Sequence, residues 1–163
     1  MFKVYLLTGT NLGDREKNLG KARGLIAEEC GKLEKSSGIY ETAAWGKTDQ
    51  HTFLNQALLL RTALTATQLM PRLLKIEKMM GRERMEKYGP RLIDIDILLF
   101  DEEVHEEERL RLPHPAMQNR RFALVPLNDI APYAIHPVLN KTISQLLEIC
   151  PDPLGVKKFN SSL

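Results

Sequence analysis

The feature that most constrains this chain is the order in which strand-like and helix-like hydrophobic patterns follow one another. Lys3 to Thr8 is a short apolar, β-branched run ending in Gly9-Thr10-Asn11-Leu12-Gly13-Asp14, which reads as a strand entering a turn. Leu19, Ala22, Ile26 and Cys30 then recur at helical spacing, with Asp14 suited to cap the helix and Gly31 to close it. Lys32 to Thr42 carries a second extended segment around Ile39 and Tyr40, and Phe53 to Leu64 a third. Within the third, Ala57-Leu58-Leu59-Leu60 is too continuous to assign an inner face by alternation. Thr65 and Gln68 form a capping-box pattern ahead of the stripe Leu69, Leu73, Ile76 and Met80. Pro71 falls inside that helix, where it removes a backbone donor.

A polar loop from Arg82 to Pro90 leads into Arg91-Leu92-Ile93-Asp94-Ile95-Asp96-Ile97-Leu98-Leu99-Phe100, the strongest strand signal in the chain. An acidic turn follows from Asp101 to Glu108, then a short Leu110-Arg111-Leu112 segment, the Pro113-His114-Pro115 break, a helix from Arg120 to Asp129 and a last helix around Ile143, Leu146 and Leu147. The order β, α, β, β, α, β predicts an α+β fold of the ferredoxin-like split β-α-β kind, a mainly antiparallel sheet covered by helices in an αβα arrangement. With 163 residues the expectation is a single domain over 1–163, of which 151–163 form a C-terminal tail.

Composition excludes several classes. An apolar fraction of 43% with 27% charged residues suits a globular core. No apolar run approaches the ~20 residues of a membrane helix, and the N-terminus lacks a secretory cleavage pattern, so a soluble, cytoplasmic protein without membrane partners is expected. Cys30 and Cys150 stand too far from any second ligand pair for a zinc site and are read as core thiols. No Gly-x-x-x-x-Gly-Lys-Ser/Thr loop occurs. The net charge of +2 argues against a long polyanion as partner. That balance conceals segregation, since 101–108 holds acids without lysine or arginine and 109–121 holds arginines without acids.

The chemistry centres on Asp94 and Asp96. Positions two apart in a strand share a face, so both carboxylates project together while Ile93, Ile95, Ile97 and Leu99 are expected on the opposite, core-facing side. Two carboxylates roughly 6 to 7 Å apart at the backbone suit a hard cation such as magnesium, which fills its remaining positions with water and phosphate oxygens. The alternative is a solvated strand face, but Asp is depleted in strands and the pair sets like charges close together. Arg82, Arg84, Lys87 and Arg91 precede the pair, and Arg109, Arg111, Arg120 and Arg121 follow it. Guanidinium groups match phosphate oxygens in pairs, and phosphoryl transfer depends on cations and positioning. Gly9 to Gly13 is either a tight turn or a place where a ligand approaches the backbone, and His114 is either structural or a phosphate hydrogen-bond donor. Trp45, Phe53 and Phe122 either pack in the core or, with Asn55 on the face of Phe53, sandwich a flat heterocycle and read its edge.

Two segments resemble the signatures of the 6-hydroxymethyl-7,8-dihydropterin pyrophosphokinases of folate biosynthesis. They are Tyr88-Gly89-Pro90-Arg91-Leu92-Ile93-Asp94-Ile95-Asp96-Ile97-Leu98 and Leu112-Pro113-His114-Pro115-Ala116-Met117-Gln118-Asn119-Arg120-Arg121-Phe122. Gly9 to Gly13, Phe53-Leu54-Asn55 and Ile130-Ala131-Pro132 with His136-Pro137 resemble further family segments in the same order. The resemblance implies transfer of the pyrophosphoryl group of ATP to the pterin hydroxymethyl group, with release of AMP, by a monomer using two magnesium ions. It implies Asp94 and Asp96 as metal ligands and Arg82 and Arg91 as catalytic clamps on the moving phosphates. Glu77, Arg82, Arg84, Arg91, Arg109, His114 and Arg120 would face ATP, and Thr42, Trp45, Phe53, Asn55 and Phe122 the pterin. Ala43-Ala44 replaces a proline-containing stretch common in that family, which bears on the shape of the pterin-facing loop.

Two rival classes fit parts of the pattern. A ferredoxin-like RNA-binding module would use the arginines on phosphates and the aromatics on bases, but the chain lacks the RNP aromatic signature and carries the paired aspartates. A two-metal nuclease would need the aspartates and leave the remaining motifs without a role.

Overall fold

The computed structural model describes residues 1–43, 51–81 and 92–160. A six-stranded sheet is built on β1 (Phe2–Thr10), which lies between β4 (Phe53–Thr62) and β5 (Asp94–Phe100), antiparallel to both. The second extended segment is split into β2 (Lys32–Ser36) and β3 (Tyr40–Thr42), and both pair with β4 at different heights. Ser37 bridges the break, its N–H donating to Ala57 O and its Oγ accepting the Ala57 N–H, each at 2.9 Å. The predicted split β-α-β order is therefore present, with one of its strands interrupted.

Two apolar layers flank the sheet. Helix α1 (Arg15–Glu29) contributes Leu19, Ala22 and Ile26, and α2 (Ala66–Met79) contributes Leu69, Leu73 and Ile76, to a core shared with Val4, Leu6, Leu58, Leu60, Ile95 and Ile97. Helices α3 (Arg121–Ile130) and α4 (Ile143–Glu148) cover the other face, where Leu124, Leu127 and Ile143 meet Tyr5, Leu7, Ala57 and Leu59. β4 is buried on both faces, which explains its unbroken apolar run. Each fully buried leucine or isoleucine contributes about 1.5–3 kcal/mol. Asp14 caps α1 by accepting the Lys17 N–H, and Thr65 and Gln68 close the expected capping box on α2. Pro71 lies within α2 without ending it. Cys30 is buried, and burial pushes its thiol up to about 11.

Two expectations need correction. Leu99 does not share the side of Ile93, Ile95 and Ile97. The β1–β5 register shifts between Tyr5 and Leu6, so that Leu6 opposes Ile97 and Tyr5 opposes Leu99. The extra residue, Leu98, makes a bulge that sends both Leu98 and Leu99 into the α3/α4 core and returns Phe100 to the other. Nor is 101–108 only a turn, because β6 (His105–Glu107) pairs with β7 (Leu110–Leu112) in a hairpin whose Leu110 and Leu112 enter the α1/α2 core.

At the other edge of the sheet, β8 (Val156–Lys158) pairs antiparallel with β3. The tail expected at 151–163 thus supplies a strand. Among the described residues no helix is long and apolar enough to cross a membrane.

Candidate active site

Asp94 and Asp96 stand half-buried at the start of β5. Asp96 opposes Leu7, a member of the α3/α4 core, which places both carboxylates on that face, beyond the part of the sheet the helices' apolar residues cover. Across the strands Asp94 opposes Gly9, and Gly9 opposes Asn55. With neighbouring strands ~4.8 Å apart, the Asp94 and Asn55 backbones stand about 10 Å from one another on one face.

The row depends on Gly9. A Cβ there would lie 2.4 Å from Asn55 Nδ2. The Asn55 side chain, 6% exposed, occupies that space and donates from Nδ2 to Thr8 O at 3.3 Å. Gly9 therefore serves a close approach within the protein, the role the sequence left open between a turn and a ligand contact. One step along, Phe53 opposes Thr42 and Asn55 opposes Tyr40, so Thr42, Phe53 and Asn55 share the aspartates' face of the sheet. The hydroxyl of Thr42 donates to Gly155 O at 2.9 Å.

The outer edge of β5 is covered by side chains and by an irregular segment. Glu77, buried on α2, accepts the Ile95 N–H at 2.7 Å, between the two aspartates in sequence. The His114 N–H donates to Leu98 O at 3.0 Å, bringing the 113–115 segment against the bulge. His114 Nδ1 accepts the Ala116 N–H at 3.1 Å. Burial, reinforced by the nearby Arg120 guanidinium, lowers the His114 pKa from 6.5 to about 4. The imidazole is consequently neutral near pH 7, and with Nδ1 used as an acceptor its proton is assigned to Nε2, leaving one N–H to donate outward. Arg120 also lies with Cζ 5.6 Å from the centroid of the Phe122 ring. Arg109 occupies the exposed turn of the β6–β7 hairpin.

The structure thus groups Asp94, Asp96, Asn55, Phe53 and Thr42 along one end of the sheet, with Glu77 and His114 on the edge of β5 and Arg120 and Phe122 following on. Trp45, Arg82, Arg84 and Arg91 lie outside the described residues. Arg15, Glu41 and Thr52, absent from the residues the sequence singles out, form a cluster beside Thr42. The Arg15 guanidinium donates through Nη1 to Thr52 O at 2.9 Å and Thr52 Oγ1 at 2.7 Å, and the Thr52 hydroxyl donates to Glu41 Oε2 at 2.7 Å. Pairing of β3 with β4 sets Glu41 beside Thr52, the start of α1 adds Arg15, and no local motif announces the meeting.

The oxygen chemistry of Asp94 and Asp96 fits a magnesium ion, which takes one or two protein carboxylates and leaves its other positions to water and phosphate. The described residues hold no group of three or more histidine, cysteine, aspartate or glutamate side chains placed for a metal.

The α+β fold recurs in solved structures. A Plasmodium falciparum HPPK-DHPS chain with SDX-DHP superposes over 91% of this chain with a TM-score of 0.72 at 20% identity, which establishes the shared fold. The present chain spans 43% of that longer one. The profile of the 7,8-dihydro-6-hydroxymethylpterin-pyrophosphokinase (HPPK) family matches residues 5–132, and the chain belongs to that family. The 2-amino-4-hydroxy-6-hydroxymethyldihydropteridine pyrophosphokinase of Aquifex aeolicus is 42% identical over 145 residues, which are 89% of this chain and 90% of the relative. The enzyme of the same name from Bacillus subtilis is 42% identical over 128 residues, 78% of this chain and 77% of the relative.

Proposed function

We propose that the sheet end carrying Asp94, Asp96 and Asn55 performs the family's reaction on ATP and 6-hydroxymethyl-7,8-dihydropterin. The chain is a pyrophosphokinase of folate biosynthesis, and the reaction moves the pyrophosphoryl group of ATP to the pterin hydroxymethyl oxygen, giving the pterin diphosphate and AMP. The hydroxymethyl oxygen bonds to the β-phosphorus and gives up its proton to solvent, the bond from the β-phosphorus to the oxygen bridging it to the α-phosphorus breaks, and this bridging oxygen leaves on AMP. The observation that carries the assignment of the site is the cross-strand row Asp94, Gly9, Asn55, which sets a carboxylate and a buried amide on one face within the reach of a single pair of substrates.

In this reading Asn55 reads the pterin edge, while Phe53 and Phe122, with Trp45, cover the ring. Thr42 lies beside them. His114 donates from Nε2 to a phosphate oxygen without adding charge, and Arg120 supplies the charge close by. Arg82, Arg84, Arg91 and Arg109 complete the cationic set on the triphosphate. Asp94 and Asp96 would hold magnesium, two ions on the family pattern, which when bound neutralises phosphate charge as the transfer proceeds. Glu77 acts on β5, holding Ile95 between the two aspartates, and so borders the nucleotide side. The chain works as a monomer on small molecules, without nucleic acid.

Incubation with ATP, magnesium and 6-hydroxymethyl-7,8-dihydropterin yields AMP in proportion to the pterin consumed. Formation of ADP, or AMP release independent of the pterin, would overturn the assignment.

A further inference from the structure

Residues 152–159 lie beyond the stretch the family profile matches, yet they touch both sides of the site. Asp152, 8% exposed, accepts the Arg121 N–H at 3.1 Å, at the first turn of α3 where Arg120 and Phe122 sit. Its other oxygen accepts the Leu154 N–H at 2.9 Å, which turns the chain toward the far edge of the sheet. Gly155 O then receives the Thr42 hydroxyl, and β8 pairs residue by residue with β3. Lys157 Nζ stands 3.9 Å from Glu41 Oε1. Phe159 donates its N–H to Ile39 O at 2.8 Å, and its ring centroid lies 5.9 Å from Arg15 Cζ.

Arg15 carries this contact on to Thr52, just before β4. It holds Thr52 through two hydrogen bonds and lies 3.6 Å from Glu41 Oε2. Asn11 Nδ2 holds the preceding residue, donating to His51 O at 3.2 Å. Thr42 at the end of β3 and Thr52 just before β4 therefore both lie at one part-buried cluster, in which Arg15 and Glu41 keep 23% and 21% of their side-chain surface.

We propose that residues 152–159 are a strap which, through Arg15 and Glu41, positions Thr42 and Thr52 against the pterin. This rests on the assignment of Thr42 to the pterin side. Arg15, Glu41 and Phe159 are positioning residues that touch no substrate. The strap selects between the two substrates because its contacts at this end converge on β3 and the start of β4, away from the His114 edge of β5 where the triphosphate is placed. Loss of these ties raises the cost of holding Thr42 and Thr52 in place, and that cost appears in pterin affinity.

The test compares the full-length chain with Arg15→Ala, Phe159→Ala, their double variant and Arg15→Lys. Steady-state turnover gives KM for each substrate and kcat. Pterin Kd is measured by calorimetry with magnesium and an α,β-methylene ATP analogue. Arg15→Ala raises pterin KM and Kd about tenfold, the equivalent of ~1.4 kcal/mol, and leaves ATP KM within about twofold of the parent on the same energy scale. Phe159→Ala shows the same bias, the double variant is no worse than Arg15→Ala because both act through one contact, and Arg15→Lys recovers part of the loss. The strap is refuted if, in variants with unchanged circular dichroism, the two KM values rise together or pterin Kd does not move. Pterin-dependent AMP release by the parent chain tests the functional reading separately, so failure of that control and failure of the strap give different results.

Discussion

The substitution Gly9→Ala probes the row that joins the two halves of the site. The new methyl would stand 2.4 Å from Asn55 Nδ2, whereas ordinary contact begins near 3.4 Å, so the amide must retreat by about 1 Å. Asn55 is the group that must give, being the far end of a side chain, and its bond to Thr8 O is lost as it moves. One neutral hydrogen bond contributes about 0.5–1.5 kcal/mol, which lowers the melting temperature by roughly 2–4 °C for a chain of this size. The functional effect is larger, because a displacement of ~1 Å in a substrate-positioning group costs on the order of 10²-fold in rate. Pterin kcat/KM should therefore fall about that far, while calorimetry shows ATP binding preserved. In an Asn55→Ala background the obstructing atom is gone, and Gly9→Ala should be neutral or stabilise by up to about 1 kcal/mol, as alanine for glycine in a strand usually does. An unchanged pterin kcat/KM, or a stability loss that persists undiminished in the Asn55→Ala background, refutes the reasoning.

Other perturbations address the edge of β5 and the scaffold. His114 binds its proton at about pH 4 in the fold, below its ordinary 6.5. As pH falls the unfolded chain protonates first, so His114 lends its full stability above pH 6.5 and loses it progressively toward pH 4, on the order of 3 kcal/mol at most. Urea unfolding at stepped pH should show His114→Asn flatter than the parent over that window; parallel curves would contradict a neutral buried imidazole. His136 is lowered in the same direction by burial and is common to both chains, so it cancels in the difference. Asp94→Asn and Asp96→Asn should each reduce pterin-dependent AMP formation by about 10³-fold, as expected from several kcal/mol of lost charge stabilisation. Both should weaken magnesium binding in calorimetry and leave the far-ultraviolet spectrum unchanged; near-parental turnover in either would remove the aspartates from the metal assignment. Thr65→Ala removes the α2 capping box and should cost about 1 kcal/mol by denaturant titration without changing either KM.

Where residues act locally, the sequence was sufficient. Asp14 and Thr65 cap their helices because a capping side chain needs only the next few backbone N–H groups. The stripe Leu69, Leu73, Ile76 and Met80 and the shared face of Asp94 and Asp96 follow from the periods of helix and strand. The order of those elements led to the antiparallel sheet with helices on both faces, and the Asp94-to-Arg120 motifs led to the family. Tertiary structure decided what depends on register between distant segments. The bulge at Leu98 reversed Leu99, because a single extra residue shifts every later side chain by one face. Gly9 acquired its purpose only when β1 was set between Asn55 and Asp94, and residues 156–158 came beside Thr42 only when β8 paired with β3. The sequence by itself determined which groups this protein carries and, where the period is clear and no bulge intervenes, which of them share a face, since those follow from bonds and dihedrals a few residues apart. Which groups meet was decided by strand pairing across gaps of up to 118 residues, as between Tyr40 and Lys158, and the same closure of the sheet brings the Thr42 hydroxyl to Gly155 O.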